Sequence, residues 1–393
     1  MSPRLFLIAG EPSGDRLGGA LMGALKTLDP GIVFGGVGGR TMRAEGLQPL
    51  FDIAQLSVMG ITEVLPRLPG ILARMREATE AAIAFRPDAL ITIDAPSFTR
   101  RVAGRVRRRA PGIRTMHYVA PTVWAWRPGR AARMARAVDH VLALLPFEPP
   151  YMTAAGMTCD FVGHPIAGLP VAGAADIAAF RMKHDLGDAP LLLMAPGSRV
   201  GEVTRMSAAF RETLGRLQAE RPGLRGVVPV AETVSKMVAE LFPGVVLVAP
   251  DADPAERRAA TAACRAALLK SGTVTVETAA QGVPQVAAYR ASWLTATIAR
   301  RLIRIDTANM VNLAYGWDNG ERPIPEFYQD EMTPEALSGA LRPLLDETPE
   351  RAAQVAAADG ALRALGRGGE APALRAARSV MVALGRQPSL ADG

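Results

Sequence analysis

The chain is short of cysteine, histidine and long apolar runs, and each shortage removes a class of protein. Two cysteines, Cys159 and Cys264, stand among 393 residues. Neither belongs to a CxxC or Cys/His cluster, which excludes a disulfide framework and a thiolate zinc site, and the usage reads as a reducing, cytosolic compartment. His117, His140, His164 and His184 are scattered, with no second ligand at i, i+4, so no metal is implied. The opening MSPRLFLIAGEPSGD has an apolar stretch of five residues, too short for the core of a signal peptide. No other stretch approaches the roughly 20 apolar residues of a membrane span. GxGxxG and GxxxxGK[ST] are both missing, which weakens the case for NAD and for Walker-type ATP binding. Without GxSxG or a Cys/His pairing, no covalent nucleophile is nominated.

What is present begins with length. A chain of 393 residues, 49% of them hydrophobic, suits two domains, each with a sizeable core. Charge is unevenly spread: residues 1–165 carry 20 Lys and Arg against 13 Asp and Glu. The excess lies largely in RRVAGRVRRRAPGIR (100–114) and RPGRAARMAR (127–136), with Arg67, Arg74 and Arg76 set among apolar residues in LPRLPGILARMR (65–76). Two readings stay open, solvated helix faces or a surface for an anionic partner such as phospholipid headgroups or a phosphorylated substrate. Nucleic acid is the weakest candidate, because no aromatic-rich RNA motif or zinc-finger spacing accompanies the arginines.

Short apolar runs alternate with longer amphipathic segments. RLFLIA (4–9), IVFGGVG (32–38), DALITID (88–94) and RTMHYVA (114–120) read as strands, with helices over 15–28 and 70–85 and a basic segment over 99–109. After GHPIAGLPVAGAAD (163–176) the rhythm resumes. LLLMA (191–195), GVVPVA (226–231), VVLVA (245–249), ALL (267–269) and PQVAAYR (284–290) read as strands, separated by helices over about 200–220, 254–267 and 273–281. This predicts an α/β protein of two Rossmann-like domains with parallel sheets facing a cleft. The expected boundaries are 1–168, joined by a C-terminal helix at about 370–387, and 169–348.

Three turns carry candidate chemistry. AGEPSGDRLGG (9–19) is a glycine-rich strand-to-helix turn of the kind that offers backbone amides to phosphate or sugar. Glu11 and Ser13 are candidates to face the cleft, and Asp15 reads as a cap for the following helix. In APGSRVGE (195–202), Gly197, Ser198 and Arg199 precede a helix, and a cation beside free amides suits a diphosphate. In LLKSGTVTVE (268–277), Ser271, Gly272 and Thr273 open a helix, with Glu277 a turn in and placed for ribose hydroxyls. The acidic triplet Asp251-Ala252-Asp253 precedes Pro254 and reads as a helix cap. The best-placed reactive side chain is Asp94, sixth in ALITIDAPSF (89–98), at the end of the apolar run and at the edge where ligands of open α/β sheets bind. A general base would stand there, and so would a brace for Ser97 and Thr99.

Together AGEPSGD (9–15), SVMGITEVL (57–65), IDAPSF (93–98), YVAPTVWAWR (118–127), LPFEP (145–149), FVGHP (161–165), PGSRVGE (196–202), SGTVTVE (271–277) and VNL (311–313) resemble the lipid-A-disaccharide synthases, sugar-nucleotide glycosyltransferases of GT-B architecture. The resemblance implies transfer of 2,3-diacylglucosamine from UDP-2,3-diacylglucosamine to 2,3-diacylglucosamine 1-phosphate, with inversion. It implies Asp94 as the base and Ser198, Arg199, Ser271, Gly272, Thr273, Glu277 and Asn312 at the donor. Glu326 and Gln329 take the family's Glu and Gln positions after the altered segment VNLAYGWDNGERPIPEFYQD. Glu11, Ser13, Gly14, Trp124, Trp126 and Arg127 fall on acceptor or cleft motifs. No cofactor or metal is implied. The acylated substrates imply work at the cytoplasmic face of the inner membrane, with the basic first half against an anionic surface, and a homodimer stays open. Rival readings are a UDP-N-acetylglucosamine 2-epimerase, an undecaprenyl-pathway transferase, or a non-catalytic UDP-sugar or lipid-binding protein.

Overall fold

In the computed structural model the structure describes residues 2–56, 61–292 and 305–386, with no side-chain description over 61–68. Part of the SVMGITEVL motif, and Arg67 with the start of LPRLPGILARMR, therefore lie outside the described residues or side chains.

The chain divides into two compact units, Met1–Pro165 with Gly368–Gly393, and Ile166–Arg367. The first runs β1 (Arg4–Ala9), α1 (Pro12–Leu28), β2 (Val33–Val37), α2 (Arg40–Ala44), α3 (Ile61–Phe85), β3 (Ala89–Ile93), α4 (Pro96–Arg109) and β4 (Arg114–Tyr118). It continues through α5 (Gly129–Ala135), β5 (His140–Ala143), α6 (Pro149–Thr153) and β6 (Thr158–Phe161). The second runs α7 (Ala174–Lys183), β7 (Leu191–Ala195), α8 (Val200–Glu220), β8 (Arg225–Pro229), α9 (Ser235–Leu241), β9 (Val246–Val248), α10 (Pro254–Ala262), β10 (Ala266–Lys270), α11 (Thr273–Ala280) and β11 (Gln285–Tyr289). It closes with α12 (Met310–Gly316), β12 (Glu326–Tyr328), α13 (Pro334–Leu345) and α14 (Pro349–Ala364), and α15 (Pro372–Ala383) follows in the first unit.

Each unit is built on a six-stranded sheet, ordered β2-β1-β3-β4-β5-β6 and β12-β11-β10-β7-β8-β9, and every pairing is parallel. A parallel strand covered by helices on both faces must be apolar at nearly every position. β1 shows the result: Phe6 and Ile8 enter the core on one face of the sheet, while Leu5, Leu7 and Ala9 enter the core on the other. β7 does the same in the second unit, with Leu192 and Met194 on one side and Leu191, Leu193 and Ala195 on the other. Burying such a side chain fully is worth about 1.5–3 kcal/mol, so a single charge inside these runs would be costly. The charges stand instead at the strand ends.

Strand order sets where those ends matter. From β1 the chain goes to β2 on one side and later to β3 on the other. From β7 it goes to β8 on one side and later to β10 on the other. These reversals leave a crevice outside the carboxyl ends of β1 and β3, and another outside β7 and β10, the places where open α/β sheets bind ligands.

α15 returns to the first unit. Ala376, Ala377, Val380 and Met381 share a core with Leu21, Met22 and Leu25 of α1. Ser379 donates to Asp160 at 2.6 Å and so accepts from the His140 Nε2–H at 2.8 Å, fastening the helix to β5 and β6.

Candidate active site

At the first crevice, β3 hands its last ladder bond to Asp94, whose N–H donates to the Tyr118 carbonyl at 3.0 Å. Asp94 and Ala95 then take φ of 51° and 45°, two consecutive non-glycine residues in the left-handed region. Aspartate tolerates that region better than alanine, and such residues cost on the order of 1–3 kcal/mol each unless the surroundings hold them. Here the Thr99 hydroxyl donates to the Asp94 and Ala95 carbonyls at 2.7 and 3.0 Å. The expected brace thus uses the backbone of Asp94, not its carboxylate, and Ser97 takes no part in it. The carboxylate accepts from the Ala95 N–H at 2.8 Å and from the Ser13 hydroxyl at 3.3 Å. Ser13 stands in the first turn of α1, close behind β1, so the ends of the two switch-point strands are linked through this bond. Gly10 permits the approach, since a Cβ there would stand 2.5 Å from that of Ala95. Gly14, buried in the first turn of α1, packs against the end of β3.

Asp15 departs from the sequence expectation. It lies inside the first turn of α1 and is buried, and its carboxylate caps α2 instead, accepting from Gly39 N–H (2.6 Å), Thr41 N–H and hydroxyl (2.9 and 2.6 Å) and Met42 N–H (3.1 Å). Burial alone would raise its pKa, but these donors outweigh it and hold the carboxyl below the usual value. The cap of a later helix is a tertiary contact that local spacing does not show.

The loop after β4 carries Trp124, Trp126 and Arg127. The Trp124 indole donates to Glu148 at 3.3 Å and meets Phe147 edge-on at 5.2 Å. Burial pushes the Glu148 carboxyl up to about 7, against the opposing pull of the Leu145 N–H and this indole. The Trp126 ring lies under the guanidiniums of Arg127 and Arg130, 4.6 and 5.2 Å from its centroid.

At the second unit's crevice a pocket of about 300 Å³ is lined by Gly197, Ser198, Glu202, Arg258, Lys270, Gly272, Thr273 and Glu277, among others. Gly197 has φ 130°, and a Cβ there would meet that of Glu202 at 2.6 Å, so the turn after β7 requires glycine. α8 and α11 begin at Arg199 and Gly272 without a side-chain cap, whereas α10, α13 and α14 are capped by Asp253, Thr333 and Thr348. Uncapped first-turn amides with a positive helix end suit an anion. Ser271 is 8% exposed, and its hydroxyl has no hydrogen-bond partner among the described residues.

Two residues that no sequence argument assigned join this pocket. The Lys270 ammonium stands 3.3 Å from the Glu202 carboxylate, which also accepts from the Ser198 N–H at 3.1 Å and lies 3.6 Å from Arg199. Burial would raise Glu202, yet Lys270, Ser198 and Arg199 together keep its carboxyl below the ordinary value. The sequence signal was a lysine closing an otherwise apolar strand.

Asn312, Glu326 and Gln329 do not line the pocket. Asn312 is fully buried, and its amide donates to the Ile324 carbonyl and to Glu326, both at 2.9 Å, and accepts from the Ile324 N–H at 2.8 Å. Thr307 and the Tyr328 hydroxyl also bond Glu326. This network closes the loop between α12 and β12. Gln329, at φ 52°, receives Arg290 on its carbonyl.

Two doubly wound parallel units, one with a cationic, amide-lined pocket at its switch point, define a protein of the GT-B class of nucleotide-sugar enzymes. A UDP-GlcNAc 2-epimerase from Neisseria meningitidis, solved with UDP-GlcNAc, matches over 98% of this chain and 99% of its own with TM-score 0.58 and 11% identity, a likeness of fold. The family profile described as lipid-A-disaccharide synthetase matches residues 5–370. Lipid-A-disaccharide synthases of Ruegeria pomeroyi and Rhodopseudomonas palustris are 51% and 47% identical, over 96% of this chain in each case and 94% and 95% of theirs. The chain belongs to the lipid-A-disaccharide synthase family and is a glycosyltransferase. The epimerase and undecaprenyl-pathway readings are not favoured.

Proposed function

We propose that this chain transfers 2,3-diacylglucosamine from UDP-2,3-diacylglucosamine to 2,3-diacylglucosamine 1-phosphate with inversion, and that Asp94 is the general base. In that step the acceptor 6-hydroxyl oxygen bonds to the anomeric carbon as the bond from that carbon to the UDP oxygen breaks. The hydroxyl proton passes to the Asp94 carboxylate and the electron pair leaves on UDP. The observation that carries this reading is the Asp94 side chain, delivered by a buried strand to the switch point on a left-handed backbone and oriented by Ser13 and the Ala95 N–H. A base aimed in advance loses little to reorganisation.

In the second unit the uncapped amides of α11 and α8, Lys270 and Arg199 offer the positive potential that a departing diphosphate needs. The unpartnered Ser271 hydroxyl offers it a donor. Those groups support a reaction without a metal ion, which predicts equal turnover with and without EDTA. Glu277 is the candidate for the ribose hydroxyls. Asn312 and Glu326 support the donor site through the loop they close, and Gln329 through its carbonyl on Arg290. Glu11 and Gly14 shape the turn beside Ser13. The acylated substrates further place the enzyme at an anionic bilayer surface, approached by the basic first unit, on the cytoplasmic face of the inner membrane. Among the described residues no helix is long and apolar enough to cross a membrane.

The test is an assay with both lipid substrates in detergent, following UDP release and disaccharide formation. Asp94→Asn should bind UDP normally and lose at least about 100-fold in kcat, the lower range for a general base. Full activity in that variant would remove Asp94 from the mechanism. No product from folded wild-type protein would remove the reaction.

A further inference from the structure

Arg127 and Arg130 meet at Trp126 on the first unit, with Arg100 and Arg133 near enough to Arg130 for their charges to act on it. Arg127 and Arg130 both lie over the Trp126 indole. Burial, and then the like charges of Arg127, Arg133 and Arg100, push the Arg130 guanidinium below its ordinary pKa. Three guanidiniums close enough to oppose that of Arg130 are unfavourable in the isolated protein. Among the described residues none of the four has a carboxylate within ion-pair distance, although Arg107 and Arg109 of the same basic stretch pair with Asp139 and Glu80. Such crowding is relieved by a ligand of high negative charge density, and guanidiniums fixed on an aromatic face hold oxyanions in a defined geometry.

The position of the cluster narrows the ligand. α4 starts two residues after Asp94, and Arg100 is four residues into it, about 6 Å along the axis. The loop carrying Trp126 and Arg127 leaves β4, whose Tyr118 pairs with Ile93 just before Asp94. Base and cluster therefore follow neighbouring strand ends of one sheet. We propose that Arg127 and Arg130, stacked on Trp126, with Arg100 and Arg133 beside Arg130, bind the phosphate monoester of the acceptor and so place its opposite hydroxyl over Asp94. This rests on the acceptor reading above and assigns the group that recognises the 1-phosphate.

The experiment is calorimetric binding of a short-chain, freely soluble 2,3-diacylglucosamine 1-phosphate and of its counterpart with a 1-hydroxyl, to wild type, Arg130→Ala and Arg130→Lys, without donor. Wild type should prefer the phosphate form by about 10–100-fold, the range for charge-assisted hydrogen bonds. Arg130→Ala should lose most of that preference with an undiminished melting temperature, since it relieves repulsion. Arg130→Lys should keep the charge but recover the preference only in part. Equal binding of the two ligands by wild type, or an unchanged preference in Arg130→Ala, would overturn the proposal. So would an effect of the variants confined to anionic vesicles, which would assign the cluster to a membrane surface. Turnover is measured separately, so failure of transfer would count against the reaction and leave the binding result readable.

Discussion

Three carboxylates of the first unit differ in what surrounds them, and two of them, Asp15 and Glu148, should titrate in opposite senses. Asp15 is ringed by four donors and has a depressed pKa. The unfolded chain then takes up the proton first as pH falls. Its contribution to stability is present above the unfolded value of 3.8 and is lost as pH drops through the lower folded value. Asp15→Asn keeps the shape but turns an acceptor into a donor facing N–H groups, and should cost about 1–3 kcal/mol. Urea titrations from pH 7 down to pH 3 should show the variant losing less with acid than wild type does. Glu148 is the opposite case, because burial lifts it from 4.5 to about 7. Between those values the folded state holds the proton that the unfolded chain has released, so stability falls as pH rises through the window. Glu148→Gln should flatten that slope. In wild type, Trp124 fluorescence should titrate with a midpoint near 7, because its indole touches the group that ionises. Asp94 differs from both, with one side-chain hydroxyl and one neighbouring N–H as partners, and its carboxylate is left available for chemistry.

Among the elements, the strands were the most legible. LLLMA at 191–195 is a strand with those bounds, and the helix expected over about 200–220 spans Val200–Glu220. Parallel strands buried on both faces leave an unbroken apolar run, and a run that stops at Gly, Ser or Asp marks its carboxyl end. That is why Asp94, Gly197, Ser198 and Gly272 could be placed at strand ends. Glu202 and Lys270 could not be paired in advance, because their contact joins the ends of β7 and β10, which are neighbours only through the crossover. Asp15 misled for the same reason, its partners being in α2. The C-terminal helix shows how much an element can owe to distant packing: α15 is uncapped by any side chain at its start, and its apolar stripe lies on α1. Met381→Ala removes buried volume there and should destabilise by about 2–5 kcal/mol, read as a lower urea midpoint, with far-UV dichroism of the folded protein unchanged.

For the molecule as a whole, the excess of Lys and Arg in residues 1–165 survives as a surface property of the first unit. Several of its arginines are paired, as Arg74 is with Glu77, Arg107 with Asp139 and Arg109 with Glu80. The unpaired remainder should draw the protein to vesicles containing anionic lipid. Binding should weaken as added salt shortens the Debye length from about 10 Å at 0.1 M to 3 Å at 1 M. Flotation at both salt concentrations measures it, and equal binding to neutral vesicles at high salt would point to apolar insertion instead.

The sequence by itself determined the alternation of buried strands and amphipathic helices, hence two parallel α/β units, and it supplied the motifs that mark the family. These are local or periodic properties, written in the spacing of apolar residues and in short turns. The tertiary structure alone decided which strand ends became neighbours. Strand order put Ser13 beside Asp94 and Lys270 beside Glu202, and turned Asp15 from a presumed cap of its own helix into the cap of the next. Which carboxylate stays bound up in structure and which remains available depends on donors brought together by crossovers, and no spacing along the chain records that.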